Sequence, residues 1–314
     1  MTQQRILVLG AGELGMSVLR NLARRAASSA LSISVLLRPS TIHSADSGKQ
    51  REIAELRVLG IAPIPGDLAA DSAQTLATCF AQFDTVVSCT GFVGGKGVQL
   101  KIARAALDAR VPRFFPWQFG VDYDVIGRGS AQDLFDEQLD VRDVLRAQSH
   151  TDWAIVSTGM FTSFLFEPSF GVVDVERGIV RALGGWDNAV TVTTAEDIGA
   201  LTTEILLAEP RIKGVVHVAG ETIAYGQLAD ALDAFTGRVF ERVEWTVPHL
   251  KAELARDPHD SLKKYRVVFA EGKGVAWDKA RTFNAQRTID VEDVAHWMRR
   301  NLGDRRVRDL AVSA

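Results

Sequence analysis

The segment Arg5–Gly15, RILVLGAGELG, constrains the fold of this chain more than any other feature. Its apolar run, Ile6–Leu9, is typical of a strand that is buried on both faces of a parallel sheet. The glycines of the GxGxxG pattern allow a tight turn, a close approach of backbone to a pyrophosphate, and close packing of helix on strand. A strand, this turn and a following helix together predict a dinucleotide site, although a glycine-rich turn without a ligand is the alternative. The residues predicted to contact the cofactor here are Gly10, Gly12, Glu13, Leu14 and Gly15.

The end of the next predicted strand, Leu31–Leu37, indicates which dinucleotide is bound. An NAD site carries an acidic residue at this position, where the carboxylate accepts from the ribose 2′-hydroxyl. This chain has Arg38 instead, and a guanidinium pairs with a phosphate through two hydrogen bonds. The sequence therefore predicts NADP(H), unless Arg38 is only a solvated loop arginine. Further contacts to the 2′-phosphate are predicted for Ser40, Thr41 and Lys49.

Strand-like and helix-like segments alternate along the first half of the chain. Further strands are predicted over residues 62–67, 83–91, 111–116 and 152–158. This alternation predicts an α/β fold, a doubly wound parallel Rossmann sheet with a smaller α+β substrate-binding lobe. We expect the Rossmann domain over residues 1–160 and the lobe mainly over 161–314, with 189–219 returning to the Rossmann domain. Thr90 and Gly91 end the fourth predicted strand and Phe92 follows it, and all three are predicted to contact the cofactor.

Composition and charge exclude several other classes of protein. A net charge of −3 and a pI near 6.1 give no electrostatic reason to expect nucleic acid as a partner. The two cysteines, Cys79 and Cys89, form no disulfide framework, and no metal-ligand spacing is present, so no metal is predicted. Without a signal peptide or an apolar run of membrane-spanning length, the expectation is a cytoplasmic protein with no membrane partner. Monomer and homodimer both stay open.

Four motifs together resemble a known family. They are Gly10–Gly15 with Arg38; Arg113–Gly120, RFFPWQFG; Ala195–Gly199, AEDIG; and Phe135–Arg142, FDEQLDVR. Over essentially its whole length the chain resembles the NmrA-like and isoflavone-reductase-like group of atypical short-chain dehydrogenase/reductases. The resemblance implies an NADP-binding Rossmann domain with a small substrate lobe. It also implies hydride delivery to phenolic, phenylpropanoid or isoflavonoid-like substrates.

The fourth motif departs from the family's pattern at its catalytic residue. The reductases have Phe-x-x-Lys, whereas this chain places Gln138 three residues after Phe135. Glutamine does not titrate, but it can position a substrate oxygen or stabilise a developing oxyanion as a neutral donor. The alternative is a residue on the helix surface that faces water. No tyrosine has a lysine four residues later, so Tyr123, in a loop after the fifth strand, is the second catalytic candidate.

The remaining site predictions concern apolar side chains and the second motif. Gln118 and Phe119 are predicted to contact the cofactor. An aromatic substrate pocket is predicted, although side chains of this kind belong to a core about as often. Its predicted members are Phe92, Val121, Met160, Phe161 and Phe164.

Two functions from different classes follow from these residues. The first is an NADPH-dependent reductase that transfers hydride to an aromatic or phenylpropanoid/quinone-like small molecule. A quinone suits a site without lysine, because hydride arrival makes a phenolate that is already stable, and positioning is the main requirement. The alternative is a non-catalytic NADP(H)-binding redox sensor that acts through a protein partner. A lysine-dependent isoflavone reductase ranks third, because its proton donor is missing.

Overall fold

A computed structural model describes residues 3–26, 30–92 and 94–312 of the chain. The strands are β1 Gln4–Leu9, β2 Leu31–Leu37, β3 Ala62–Pro65, β4 Thr85–Ser88, β5 Arg113–Phe115, β6 Asp152–Ser157, β7 Met160–Phe161, β8 Val173–Asp174, β9 Ile179–Leu183, β10 Ala189–Thr193, β11 Gly214–His217, β12 Glu221–Ala224 and β13 Glu241–Trp245. The helices are α1 Glu13–Ala26, α2 Pro39–Ile42, α3 Ser47–Val58, α4 Ala73–Phe80, α5 Val98–Asp108, α6 Tyr123–Ile126, α7 Leu134–Arg146, α8 Ala195–Leu207, α9 Tyr225–Thr236, α10 Val247–Arg256, α11 Ser261–Glu271, α12 Phe283–Gln286 and α13 Val294–Val312.

The chain forms two compact units that interleave in sequence. Unit 1 comprises Met1–Phe119, Leu134–Val156 and Ile198–Val216, and unit 2 comprises Gly120–Asp133, Ser157–Asp197 and His217–Ala314. These limits differ from the predicted boundary at residue 160 and the predicted return over 189–219.

The chain enters unit 2 at Gly120, before the predicted boundary at residue 160, because of backbone hydrogen bonds near residue 120. The Gly120 carbonyl accepts from the amides of Thr158 and Gly159, and the Asp122 amide donates to the Gly274 carbonyl at 2.8 Å. These partners are distant in sequence, so local pattern does not reveal them.

Unit 1 contains a seven-stranded sheet in the order β11-β6-β5-β4-β1-β2-β3, with helices on both faces. The pairs of β1 with β2 and with β4 are parallel, and Ile6 stands opposite both Ile33 and Thr85. The predicted doubly wound α/β fold is therefore confirmed. The strand order reverses between β1 and β4, the position where ligands bind at the carboxyl edge of such sheets.

The core of unit 1 follows from the patterns of β1 and α1. All four residues of Ile6–Leu9 are fully buried, as a strand covered on both faces requires. Leu14, Val18, Leu19 and Leu22 recur at helical spacing on α1, and all four are buried. The apolar face of α1 thus packs into the core and fixes the helix that follows the glycine turn.

Unit 2 contains two three-stranded sheets, β12-β10-β7 and β13-β9-β8. The strands β9 and β10 flank the turn at residues 184–188, yet they belong to different sheets. Strand β9 pairs with β13 in parallel, whereas β10 pairs with β12 antiparallel and with β7 in parallel. The strands β9 and β10 therefore do not pair with each other across this turn, and β9 pairs antiparallel with β8, which precedes it closely in the chain.

Candidate functional site

The glycine turn between β1 and α1 has the geometry that a dinucleotide requires. Gly10 has a φ of +87°, which side chains disfavour, and a Cβ on Gly15 would lie 2.3 Å from the Gly10 carbonyl oxygen. A Cβ on Gly12 would meet nothing within 4 Å, so its backbone is open to a close approach. The helix α1 begins at Glu13, and the N–H groups at the start of a helix carry the positive end of its dipole. Pyrophosphate therefore fits this turn.

Arg38 lies where β2 ends, and its side chain is exposed. Its carbonyl accepts from the Thr41 and Ile42 amides, which closes the short helix α2 that carries Ser40. The nearby Asp67 carboxylate accepts from the amides of Ala69 and Ala70, and these bonds, with Arg38 and Lys101, lower its pKa. The exposed Arg38 guanidinium thus lies at the end of β2, close enough to act on the Asp67 carboxylate.

Lys49, the last of the four predicted phosphate contacts, forms an ion pair with Glu52. It lies in the first turn of α3, and its ammonium pairs with Glu52 at 2.9 Å on an exposed surface. Exposed pairs of this kind are weak, so the pairing leaves the predicted phosphate contact untested.

The end of β4 lies against the glycine turn. The Thr90 methyl is 3.1 Å from the position of a Cβ on Gly10, so the two segments touch. Gly91 has a φ of +59°, and its carbonyl accepts from the buried Gln99 amide. Phe92 follows and is half-buried. Residue 93 lies outside the described residues. The structure therefore brings Thr90, Gly91 and Phe92 beside the glycine turn, and Gln99 holds this loop.

Gln118 is fully buried, and both ends of its amide are used within unit 1. Its Nε2 donates to the Gln138 carbonyl at 2.8 Å, and its Oε1 accepts from the Arg142 Nε at 2.8 Å. The Gln118 side chain thus joins the segment after β5 to α7, and contact between this residue and the cofactor stays a prediction. Phe119, the next residue, is buried in the same segment.

Gln138 is also fully buried, but its side-chain amide differs from that of Gln118 in its hydrogen bonding. Neither Nε2 nor Oε1 has a hydrogen-bond partner among the residues that the structure describes. The alternative of a water-facing surface residue is therefore wrong. Burying an unpaired amide costs about 1–3 kcal/mol of stability, so we expect the Gln138 amide to form its hydrogen bonds with a bound ligand.

The neighbouring Glu137 anchors α7 to the loop after β4. Its carboxylate accepts from the Gly97 amide at 2.8 Å and from the Leu100 amide at 3.1 Å. Gly97 precedes the first residue of α5, so the carboxylate caps that helix and faces the positive end of its dipole. Glu137 is itself buried. One turn of α7 thus holds the end of the loop after β4 through Glu137 and also carries Gln138.

The first residue of the RFFPWQFG motif has a structural role. Arg113 is buried, and its guanidinium donates to the carbonyls of Ile205, Leu206 and Ile212. Two of these carbonyls belong to the last turn of α8, which leaves its final carbonyls without helical partners. Burial lowers the pKa of Arg113, but the guanidinium remains a cation and caps α8.

Tyr123 and its neighbours belong to unit 2. Tyr123 is buried, and its hydroxyl lies 2.8 Å from the position of a Cβ on Gly120. Asp122 caps α6 through the Asp124 and Val125 amides, and its second oxygen is 3.1 Å from the His217 Nε2. Tyr123 thus sits on a braced loop, and its catalytic role stays a prediction.

The predicted substrate-pocket residues of unit 2 are largely packed. Val121 and Met160 are buried, and Met160 pairs with Val192 in the β7–β10 ladder. The Phe164 ring stacks on Phe170 at 4.5 Å between centroids. Phe161 is half-buried. Their contact with substrate stays a prediction.

Three contributors to the site were absent from the sequence prediction. Gln99 had a weak signal, because it shares the apolar face of α5 with Ile102 and Ala106. Glu137 and Trp117 stand in two of the motifs named above, but those motifs do not indicate their contacts, since the partners come from other elements. The described residues hold no cluster of three or more metal-ligating side chains. None of the described helices has the length and apolarity to cross a membrane.

Comparison with known proteins agrees with this geometry. The model of the NmrA-like family matches residues 2–291, and the chain belongs to this family. An NmrA-like family domain-containing oxidoreductase of Gibberella moniliformis is 46% identical over 297 residues, which are 94% of this chain and 97% of that protein. The predicted family resemblance is confirmed.

Solved structures show the same fold. A crystal structure of isoflavone reductase matches with a TM-score of 0.78 at 20% identity, covering 95% of this chain and 99% of that one. The binary complex of leucoanthocyanidin reductase with NADPH from Vitis vinifera matches with a TM-score of 0.72 at 19% identity, covering 87% and 89%.

Proposed function

We propose that this protein is an NADPH-dependent reductase that transfers hydride to an aromatic or phenylpropanoid/quinone-like small molecule. The observation that carries the proposal is the buried amide of Gln138, which has no hydrogen-bond partner among the described residues. It stands at the family's catalytic-lysine position, on the unit that contains the glycine turn. The membership in a family with a 46% identical oxidoreductase supports it.

The cofactor assignment is supported by the chain's own residues. The open backbone at Gly12 admits a pyrophosphate, and the exposed Arg38 at the end of β2 binds a 2′-phosphate. The NADPH bound to the structurally similar leucoanthocyanidin reductase agrees with this choice. NADPH, when bound, supplies the hydride.

Gln138 then acts on the substrate as a neutral hydrogen-bond donor. Its NH₂ group donates to a carbonyl oxygen on which negative charge develops, and low dielectric strengthens this interaction in a buried site. For a quinone, one NADPH and one proton give one hydroquinone and one NADP⁺. The first product on the substrate is a phenolate, whose proton comes from water, so no titratable lysine is required. This chemistry matches a glutamine in place of lysine.

The test mixes pure protein with NADPH and a panel of quinones, phenylpropanoid enones and aldehydes. Saturable loss of NADPH absorbance with a quinone supports the reductase. Loss with none of them, while fluorescence shows that NADPH binds, overturns it. That outcome favours the alternative, a redox sensor acting through a protein partner, for which the non-titrating Gln138 is also suitable.

A charge-removal variant tests the cofactor assignment separately. Arg38→Ala should weaken NADPH binding about 10- to 100-fold and leave NADH binding unchanged, because a charge-assisted bidentate pair is lost. Lys49→Ala tests the other cation predicted to contact the phosphate, and Arg57→Ala, which removes an exposed arginine in the last turn of α3, is the matched control. Fluorescence titration of both cofactors is the measurement, and an unchanged NADPH preference in Arg38→Ala would remove Arg38 from the site.

A further inference from the structure

We propose that Phe92 and Trp117 form an aromatic platform for the planar ring of the substrate, and that Trp117 thereby determines specificity for quinones. The inference rests on the proposed function and names the substrate class for that site. The two rings stand edge to face, with centroids 4.6 Å apart and planes at 74°.

The pair lies at the carboxyl ends of two adjacent strands. Phe92 follows β4 and Trp117 follows β5, and these strands pair directly, with Val87 opposite Phe115. Ligands of doubly wound sheets bind outside this edge, beside the reversal of strand order between β1 and β4. The platform is therefore on the ligand-binding edge of unit 1.

Exposure separates Trp117 from the other aromatic residues of its motif. Phe114, Phe115 and Phe119 are at most 3% exposed, whereas Trp117 and Phe92 are only half-buried. A half-buried indole at this edge offers an apolar ring to a ligand without loss of core packing. Because the other rings of the motif serve the core, Trp117 is available for recognition.

A chain of contacts places the platform next to the glycine turn. Thr90 touches Gly10, as described above, and a Cβ on Gly91 would lie 3.7 Å from the Trp117 Cζ2. The Gln99 amide holds the Gly91 carbonyl and with it this arrangement. In the sheet, β4 and β5 lie on one side of β1, and β2 lies on the other side. The ring of Trp117 is therefore on the opposite side of the glycine turn from Arg38, and the turn between them is the site proposed for the pyrophosphate.

The chemistry of the pair favours a planar, electron-poor ring. Indole is the most electron-rich aromatic side chain and attracts electron-deficient partners to its face. Aromatic pairs gain from offset or edge-to-face contact beyond their area burial. A quinone is planar, electron-poor and carries the carbonyl oxygens that the Gln138 amide can bind. A flexible aliphatic enone has the carbonyl but not the ring.

The kinetic test compares Trp117→Leu and Trp117→Phe with the wild type, using a naphthoquinone and a branched aliphatic enone. Trp117→Leu should raise KM for the naphthoquinone about 3- to 10-fold, Trp117→Phe should retain most of the affinity, and neither should change KM for the enone. The affinity for NADPH should be unchanged in both. Trp297→Leu is the matched control, because Trp297 is a half-buried tryptophan stacked on Phe166 in unit 2.

A binding test gives a readout independent of turnover. Naphthoquinone added to the NADP⁺ complex should quench tryptophan fluorescence in the wild type and in Trp297→Leu, and much less in Trp117→Phe. Quenching that is equal in all three proteins overturns the platform, as does a loss of NADPH affinity in Trp117→Leu equal to the loss for naphthoquinone. Absent turnover with retained quenching would instead reject the reductase and keep the platform.

Discussion

Two regions of unit 1, the end of β5 and the first turns of α7, each carry a fully buried glutamine, but the two amides have opposite environments. Gln118 on the β5 side is paired at both ends, with Arg142 and with the Gln138 carbonyl. Gln138 on the α7 side is paired at neither end of its side chain among the described residues. A buried amide that is fully paired stabilises the fold, whereas an unpaired one costs stability and is retained for another reason. The comparison therefore separates a residue that builds the site from a residue that acts in it.

The largest expected effect is on activity at Gln138. Gln138→Leu removes the donor and keeps a similar volume, so kcat for a quinone should fall about 100-fold, as for loss of an oxyanion donor. The urea midpoint should stay the same or rise, because an unpaired buried amide is replaced by an apolar side chain. Steady-state kinetics and urea unfolding measure the two effects. A lowered midpoint with unchanged kcat would reverse the assignment.

The next effect is on stability at Gln118. Gln118→Leu deprives Arg142 and the Gln138 carbonyl of these hydrogen bonds and should lower the free energy of unfolding by about 1–3 kcal/mol. Gln118→Glu keeps the acceptor for Arg142 but places a carboxylate oxygen against the Gln138 carbonyl oxygen, so it should lower the free energy of unfolding as well. Affinity for NADPH should hold in both variants under conditions where they are folded. A selective loss of NADPH binding would instead support the prediction that Gln118 contacts the cofactor.

A smaller effect is expected at Glu137, which precedes Gln138 on the same helix but is paired. Glu137→Ala removes the cap of α5 and should lower the free energy of unfolding by about 1–2 kcal/mol. Glu137→Gln keeps an acceptor for one of the two amides and should lose about half as much. Urea unfolding of the three proteins checks this order. Equal midpoints would show that the carboxylate does not hold the loop.

Local pattern was sufficient for much of the fold. The strands β1 and β2 follow from runs of apolar residues, and the helix α1 follows from apolar residues at helical spacing. The glycine turn marks the boundary between β1 and α1. Gly15 was predicted to permit close packing, and a Cβ there would overlap the Gly10 carbonyl. Arg38 was predicted at a strand end, and it lies there.

Pattern was insufficient wherever a partner comes from afar. The strands β9 and β10 flank one turn, which is typical of a hairpin, but they belong to two different sheets. Arg113 stood in a motif that suggested function, and it caps α8 from about 90 residues away. Gln118 was predicted to bind the cofactor, which stays a prediction, and its side chain joins the segment after β5 to α7, which the sequence did not indicate.

The amino-acid sequence by itself determined the β–α order, the glycine turn, the cation at the end of β2 and the absence of lysine at position 138, because each depends on residue type and spacing along the chain. Only the tertiary structure decided which buried amide is paired, which carboxylate caps which helix, and which aromatic ring of one motif is left half-exposed. Hydrogen bonding and burial are properties of neighbours in space, and for Gln138 and Trp117 those neighbours are set by how the strands and helices of unit 1 pack.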